Sequence, residues 1–363
     1  MTLTQPADTA PVAAQQTSAP SNPGPPRDTD VLLRRARRLV APTLHAAVEA
    51  LPEQTRALAS YHFGWTDLSG HPDSASWGKG VRTAFTLACA RAAGGDELSA
   101  VPAAAAVELV HNASLIHDDL LDTDTMRRHR PAVWAACGTA AAVLVGDALF
   151  HAGVRVLQGE LAEHTTAATV VLLDAVLELI EGEKADTAFE ARHDVTLDEC
   201  LTMVEAKTGA LLGAACALGA RYGGTTDPDH LKAMARFGRH LGLAYQAIDD
   251  YMGIWGVTAG TGKPVLADLV RRKKSLPVVY ALNTATPAAA ELTQLYFGNG
   301  DLAPSDVHRA AELVEQTGAR DWVREFSRGH TATAREYLAA ARPTADGLAD
   351  LCALVRLVSE REA

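Results

Sequence analysis

Four aspartates crowd into seven residues at Asp118-Asp119-Leu120-Leu121-Asp122-Thr123-Asp124, directly after an apolar stretch containing Ala113, Leu115 and Ile116. Nothing else in the chain limits the fold as much. On a helix, Asp118 and Asp122 lie one turn apart on the same face, so their carboxylates can bridge the same hard cations. A solvated acidic helix end is the ordinary alternative for such a charge run. It is disfavoured here because the C-terminal end of a helix is already electronegative, and because the apolar approach belongs in a core. A metal or a cationic ligand must therefore meet this helix end. A second pair, Asp249-Asp250, closes another amphipathic stretch at Gln246-Ala247-Ile248 and is followed by Lys263 and Asp268. If both pairs face one cavity, they can hold several Mg²⁺ ions whose remaining ligands are water and phosphate oxygens.

The rest of the chain is expected to supply a helical frame for such a cavity. Of its 363 residues 48% are hydrophobic, dominated by Ala, Leu and Val, while aromatics make up 5%. That mixture suits close helix packing better than a sandwich of strands. Apolar periodicity predicts helices over Val31–Ala57, Gly80–Ala93, Ala103–Asp122, Ala140–Gly159, Thr166–Glu183, Leu197–Ala220 and His230–Ile254. Strand alternation bounded by hairpin turns and fixed-period repeats are both missing. The expectation is an all-α fold, a single large helical bundle around a central cavity, spanning 31–363. Residues 1–30, with Pro20, Pro23, Pro25 and Pro26 close together, are expected to form a disordered tail.

Charge and cysteine use narrow the function classes. A net charge of −11 argues against a nucleic-acid binder, which needs a basic face. Cys89, Cys137, Cys200, Cys216 and Cys352 form no CxxC pair, as expected of thiols in a reducing compartment. The first thirty residues lack the pattern of a secretory signal. Apolar stretches such as Gly209–Ala220 look too short to span a bilayer. A cytoplasmic protein without an integral membrane span is expected.

With these motifs the sequence resembles the trans-prenyl diphosphate synthase family, over about Gly78 to Pro277. Asp118 to Asp122 match the family's DDxxD motif, with Arg127 and Arg128 in register behind it. The resemblance implies the isoprenoid synthase fold, a homodimer, and Mg²⁺ as cofactor, with three ions expected when substrate is bound. Its substrates are isopentenyl diphosphate and an allylic diphosphate. Residue by residue, it implies that Lys79, Arg82, His111 and Arg128 hold the isopentenyl diphosphate, and that Arg127 contacts the allylic one. Asp118, Asp122, Asp249, Asp250 and Asp268 match metal positions, Asp250 in a water-mediated role. Lys207, Thr208, Gln246 and Lys263 match catalytic positions, and Lys273 a substrate-binding one. Singly, each Lys or Arg is more often a surface residue and His111 a core histidine. In this order and spacing they suit phosphate, because Arg offers a planar donor fork and Lys a point charge.

In the family, the metal-bound allylic diphosphate leaves to give an allylic cation, the isopentenyl double bond attacks it, and the released diphosphate takes the final proton. Four departures from the family pattern stand out. Gly253 replaces the last aspartate of the second motif, Val257 stands where many relatives carry an acid, Thr83 replaces a common proline, and Glu183 a common glutamine. Ala113 and Ser114, five and four residues before Asp118, are small, so the resemblance implies a product as long as geranylgeranyl diphosphate, with Val107, Val110 or Phe150 as deeper candidate floors. Two alternatives stay open. A class I terpene cyclase shares the fold but needs no second diphosphate pocket, and a regulatory partner subunit of another synthase would tolerate Gly253.

Overall fold

A computed structural model of the chain describes residues 27–73, 78–159, 162–256, 266–298 and 300–359. The helices run α1 (Thr29–Glu49), α2 (Glu53–Phe63), α3 (Val81–Ala92), α4 (Val101–Leu121), α5 (Val133–Cys137), α6 (Thr139–Gln158), α7 (Ala162–Glu190), α8 (Leu197–Val204), α9 (Ala210–Tyr222) and α10 (Pro228–Trp255). They continue as α11 (Ala267–Val270), α12 (Leu276–Leu282), α13 (Pro287–Tyr296), α14 (Pro304–Gln316), α15 (Ala319–Ala340) and α16 (Ala345–Ser359). This is the all-α bundle that composition and periodicity predict. Its central helix is α4, in which Ala103 to Val107 are all fully buried, so it presents no solvent face at its start. Around it pack α1, α3, α6 and α9, and α10 lies against α9 and α15. α4 is launched by a short 3₁₀ turn, Glu97–Ala100, whose first free N–H groups are met by Asp96 accepting from Leu98 N at 3.0 Å. Asp227 caps α10 in the same way ahead of Pro228.

The structure departs from the sequence expectations in three places. The predicted helix Val31–Ala57 is two helices, because the chain turns at Ala50 and Pro52 opens α2, where a missing N–H costs nothing. A two-residue antiparallel ribbon pairs β1 (Met126–Arg127) with β2 (Arg130–Pro131). It is too short to show alternation, and its turn residues Arg128 and His129 both have positive φ, 52° and 64°. Finally, Glu97–Leu121, Thr139–Gln158 and Leu197–Tyr222 are long and apolar enough to cross a membrane, which corrects the expectation that the apolar stretches are too short. Two of them bury 72% of that window inside the bundle, and Thr139–Gln158 buries 39%.

Candidate active site

The acidic end of α4 meets its positive charge in Lys207. Its Nζ lies 2.9 Å from Asp118, 3.0 Å from Glu183 and 2.7 Å from Asp186, so one ammonium bridges carboxylates from α4 and α7. Burial opposes the charge on Lys207, but Asp118, Asp186 and Glu183 hold it protonated well above the usual lysine range. Burial likewise opposes ionisation of Asp118, yet Lys207 and then Lys273 and Arg127 hold its carboxyl below the ordinary value. Asp122 is pushed up by burial and by Asp118, and Glu183 is pushed up to about 7 by burial. One oxygen each of Asp118, Asp122 and Glu183 lies within 4.8 Å of the others. Hard oxygen donors at that spacing fit a divalent cation such as Mg²⁺. Asp119 serves differently. It is 1% exposed and is held by Arg127, whose Nε donates to it at 2.8 Å.

Lys207 and Thr208 reach the cavity because the chain between α8 and α9 widens into a π-helical turn, Glu205–Gly209. Glycines let other helices close on that turn. A Cβ on Gly182 of α7 would stand 2.8 Å from Lys207 Cα, and one on Gly242 of α10 would stand 2.6 Å from Gly209 Cα. Thr208 Oγ1 then donates to Gln246 Oε1 at 2.9 Å, and Gln246 Nε2 donates to Asp250 Oδ1 at 2.8 Å.

Across the cavity lies a basic wall. Arg82 Nη1 sits 3.3 Å from His111 Nε2. Burial, then Arg82 and Arg128, hold His111 well below the usual imidazole range, so it is neutral and able to accept from Arg82. The ribbon turn directs Arg128 to the same wall, where Nη2 donates to Asn112 Oδ1 at 3.3 Å and burial lowers its pKa to about 10. Behind these arginines is a buried polar brace that the sequence did not flag. Thr83 Oγ1 donates to Glu108 Oε2 at 2.8 Å, Asn112 Nδ2 donates to Glu108 Oε1 at 3.1 Å, and His62 pairs with Asn112 Oδ1 at 3.2 Å. Thr83, where relatives commonly have proline, is thus tied to Glu108, an acid that acts on both Arg82 and Arg128.

One cavity of about 400 Å³ collects Lys79, Arg82, His111, Asp118, Arg127, Arg128, Lys207, Thr208, Gln246, Asp249 and Lys273. Asp122 lies beside it, and Lys273 Nζ lies 3.9 Å from both Asp122 and Asp186. Asp250, expected in a water-mediated metal role, does not itself line this cavity. Its Oδ2 accepts from Leu276 N at 2.8 Å and its Oδ1 from Gln246, so both oxygens are used in fixing α12 and the Gln246 amide. Burial, with Asp268 nearby, raises it to about 7. Lys263 and Val257 fall outside the described residues. Asp186 was missed, although its spacing three residues after Glu183 put both acids on one face of α7.

A second, apolar cavity of about 460 Å³ continues from Ser114 between α4, α6 and α7, lined by His117, Leu121, Phe150, Leu179 and Ile180. The His117 and Phe150 rings, in tilted contact with centroids 5.7 Å apart, both line it. Ser114 lines both cavities and Ala113 lines neither.

Comparison with known proteins gives a consistent result. The family model described as polyprenyl synthetase matches residues 73–314. A Mycobacterium tuberculosis H37Rv protein named geranylgeranyl diphosphate synthase is 43% identical over 337 residues, covering 91% of this chain and 93% of that protein. Another from the same strain, named (2E,6E)-farnesyl diphosphate synthase, is 42% identical over 349 residues, covering 93% and 97%. The crystal structure of a polyprenyl synthetase from Streptomyces coelicolor A3(2) superposes with a TM-score of 0.87 at 41% identity, covering 91% of this chain and 99% of that one.

Proposed function

The chain belongs to the polyprenyl synthetase family, and on that premise we propose that it joins isopentenyl diphosphate to an allylic diphosphate with geranylgeranyl diphosphate as the product. One observation carries this reading. A single cavity has a basic end and an acidic end, with Lys207, Thr208 and Gln246 between them. Lys79, Arg82, His111 and Arg128 form the basic end and hold the isopentenyl diphosphate. At the other end Asp118, Asp122 and Asp249 hold Mg²⁺, three ions with substrate bound, and Arg127, Lys207 and Lys273 hold the allylic diphosphate. Bound Mg²⁺ supplies neutralisation of the leaving group's charge. Lys207 adds fixed positive charge at the same place, which stabilises the diphosphate as it departs. The Thr208–Gln246–Asp250 chain holds two polar side chains still beside the developing cation, so no reorganisation is needed as charge moves. A cyclase would have no use for the basic wall, and a silent partner subunit no use for the complete first acidic motif together with the retained Asp249-Asp250 pair.

The apolar cavity beyond Ser114 takes the growing tail. Phe150 and His117 are its proposed limit, which favours geranylgeranyl over farnesyl diphosphate because the small Ser114, which lines both cavities, leaves the entrance open. A homodimer fits the outer face. Val170, Leu173, Leu177 and Ile180 on α7 are 43–63% exposed at spacings of three and four, the seam a partner helix covers, and Val143 and Leu144 of α6 extend it. We further assign 31–363 to one catalytic domain, with Met1 to Gly24 dispensable for turnover, and place the protein in the cytoplasm. The test is incubation of the purified chain with isopentenyl diphosphate, Mg²⁺ and dimethylallyl, geranyl or farnesyl diphosphate in turn. A C20 diphosphate from every primer supports the proposal; accumulation at C15 with isopentenyl diphosphate in excess overturns the product assignment.

A further inference from the structure

Gly146 is buried in the first half of α6, yet it lines neither cavity. What lies against it is a side chain from α4. A Cβ built on Gly146 would collide with His117 Nε2 and would lie 2.5 Å from Cδ2 and 2.8 Å from Cε1 of the same imidazole. The ring therefore rests in the notch that a glycine leaves on α6. His117 Nε2 donates to the Val143 carbonyl at 3.2 Å, the role open to a ring nitrogen facing a carbonyl oxygen, and lies 3.8 Å from Asp147 Oδ1. Residues on either side of the notch thus hold the ring in it. Gly153, two turns further along α6, differs. A Cβ there would lie 3.1 Å from Ala106 O, so that glycine serves the approach of α6 to the α4 backbone.

The imidazole also lines the apolar cavity, together with Phe150, Leu179 and Ile180. We infer that Gly146 is a positioning residue for product length: it seats the His117 ring against α6 and so keeps it out of the space in which the tail grows. The three atoms nearest a methyl group at 146 all belong to that ring. A ring at the end of a rotatable side chain yields before two packed backbones do. Away from α6 the open volume beside the ring is the apolar cavity, so the displaced imidazole enters it and shortens the path. Gly146 touches no substrate and acts through His117 alone. This inference rests on the function proposed above.

The test follows the products that the full chain makes from dimethylallyl diphosphate, excess isopentenyl diphosphate and Mg²⁺, by chromatography after hydrolysis. Gly146→Ala should accumulate C15 and lower the ratio of C20 to C15 by about tenfold or more, since one methylene in an apolar pocket is worth roughly 10–200-fold. His117→Ala, which removes the ring, should give C20 or longer. Gly146→Ala combined with His117→Ala should do the same, a rescue that a packing defect between α4 and α6 would not show. An unchanged ratio in Gly146→Ala, or a double variant whose products are as short, would overturn the inference. So would slower turnover of Gly146→Ala with every primer and no shift in product. If Gly146→Ala fails to fold by circular dichroism, His117→Phe decides. It keeps a ring that cannot donate to the Val143 carbonyl, so the ring should leave α6 and C15 should accumulate; C20 from this variant refutes the seating. A wild-type chain that elongates no primer refutes the proposed function, whereas an active wild type beside a Gly146→Ala chain with the same ratio refutes the seating alone.

Discussion

Gly182→Ala tests whether close packing against the π-helical turn is what presents Lys207 to the substrate. The new Cβ would stand 2.8 Å from Lys207 Cα and 2.9 Å from Lys207 Cβ. Carbon atoms settle at about 3.5–4.0 Å, so α7 and the turn must separate by roughly 0.7–1.2 Å. That shift pulls Lys207 Nζ away from carboxylates now 2.7–3.0 Å distant. A misplacement of about 1 Å can lower turnover about 100-fold. Stability should suffer far less. Overpacking costs about 1–3 kcal/mol, while alanine is better than glycine inside a helix by about 1 kcal/mol, leaving a net loss of roughly 0–2 kcal/mol. Steady-state kinetics should therefore show a large fall in kcat in a protein that melts within a few degrees of wild type. A folded Gly182→Ala enzyme with wild-type kcat would show that the turn does not depend on this contact.

Phe150→Ala should lengthen the product distribution beyond C20, measured by chromatography of the hydrolysed products, and an unchanged distribution would place the tunnel floor elsewhere. Thr83→Val removes a donor to the buried Glu108 carboxylate; it should cost about 1.5–3 kcal/mol of stability and raise KM for isopentenyl diphosphate more than for the allylic substrate, whereas equal changes in both would separate the brace from Arg82 and Arg128. His62 is 8% exposed, and burial followed by Arg128 and Arg127 holds its pKa well below the imidazole value. A depressed folded pKa leaves stability intact above the unfolded value of about 6.5 and removes it as pH falls below that, by up to about 1.4 kcal/mol per pH unit. The melting temperature should therefore fall between pH 7.5 and 5.5, and fall less in His62→Gln; equal slopes would contradict this. Leu177→Glu should convert a dimer to a monomer in light scattering, and an unaltered mass would mean another face is used.

The main helices and both acid-rich helix ends were legible in sequence because each is a local pattern: apolar spacing for α4 and α10, and aspartates one turn apart. What escaped depends on contacts between distant segments. Glu205–Gly209 carries no local mark of a π-helical turn, and it exists where glycines of α7 and α10 let those helices close on it. Asp186 is linked to Asp118 only through Lys207, which comes from a distant segment. Asp250, beside a cavity residue in sequence, is turned by the helix toward Leu276 N and out of the cavity. Glu108 lay within an apolar run, and only the fold shows that Thr83 and Asn112 satisfy it.

The most direct test of the account compares wild type, Asp118→Asn and Arg128→Gln for two reactions with Mg²⁺ present: hydrolysis of the allylic diphosphate alone, and its elongation by isopentenyl diphosphate. Asp118→Asn should lose both reactions by at least about 100-fold, since it removes charge stabilisation of the leaving group. Arg128→Gln should keep allylic hydrolysis and lose elongation chiefly through a higher KM for isopentenyl diphosphate. Loss of both reactions in both variants, or elongation surviving in Asp118→Asn, would contradict a cavity with one acidic, metal-holding end and one basic end.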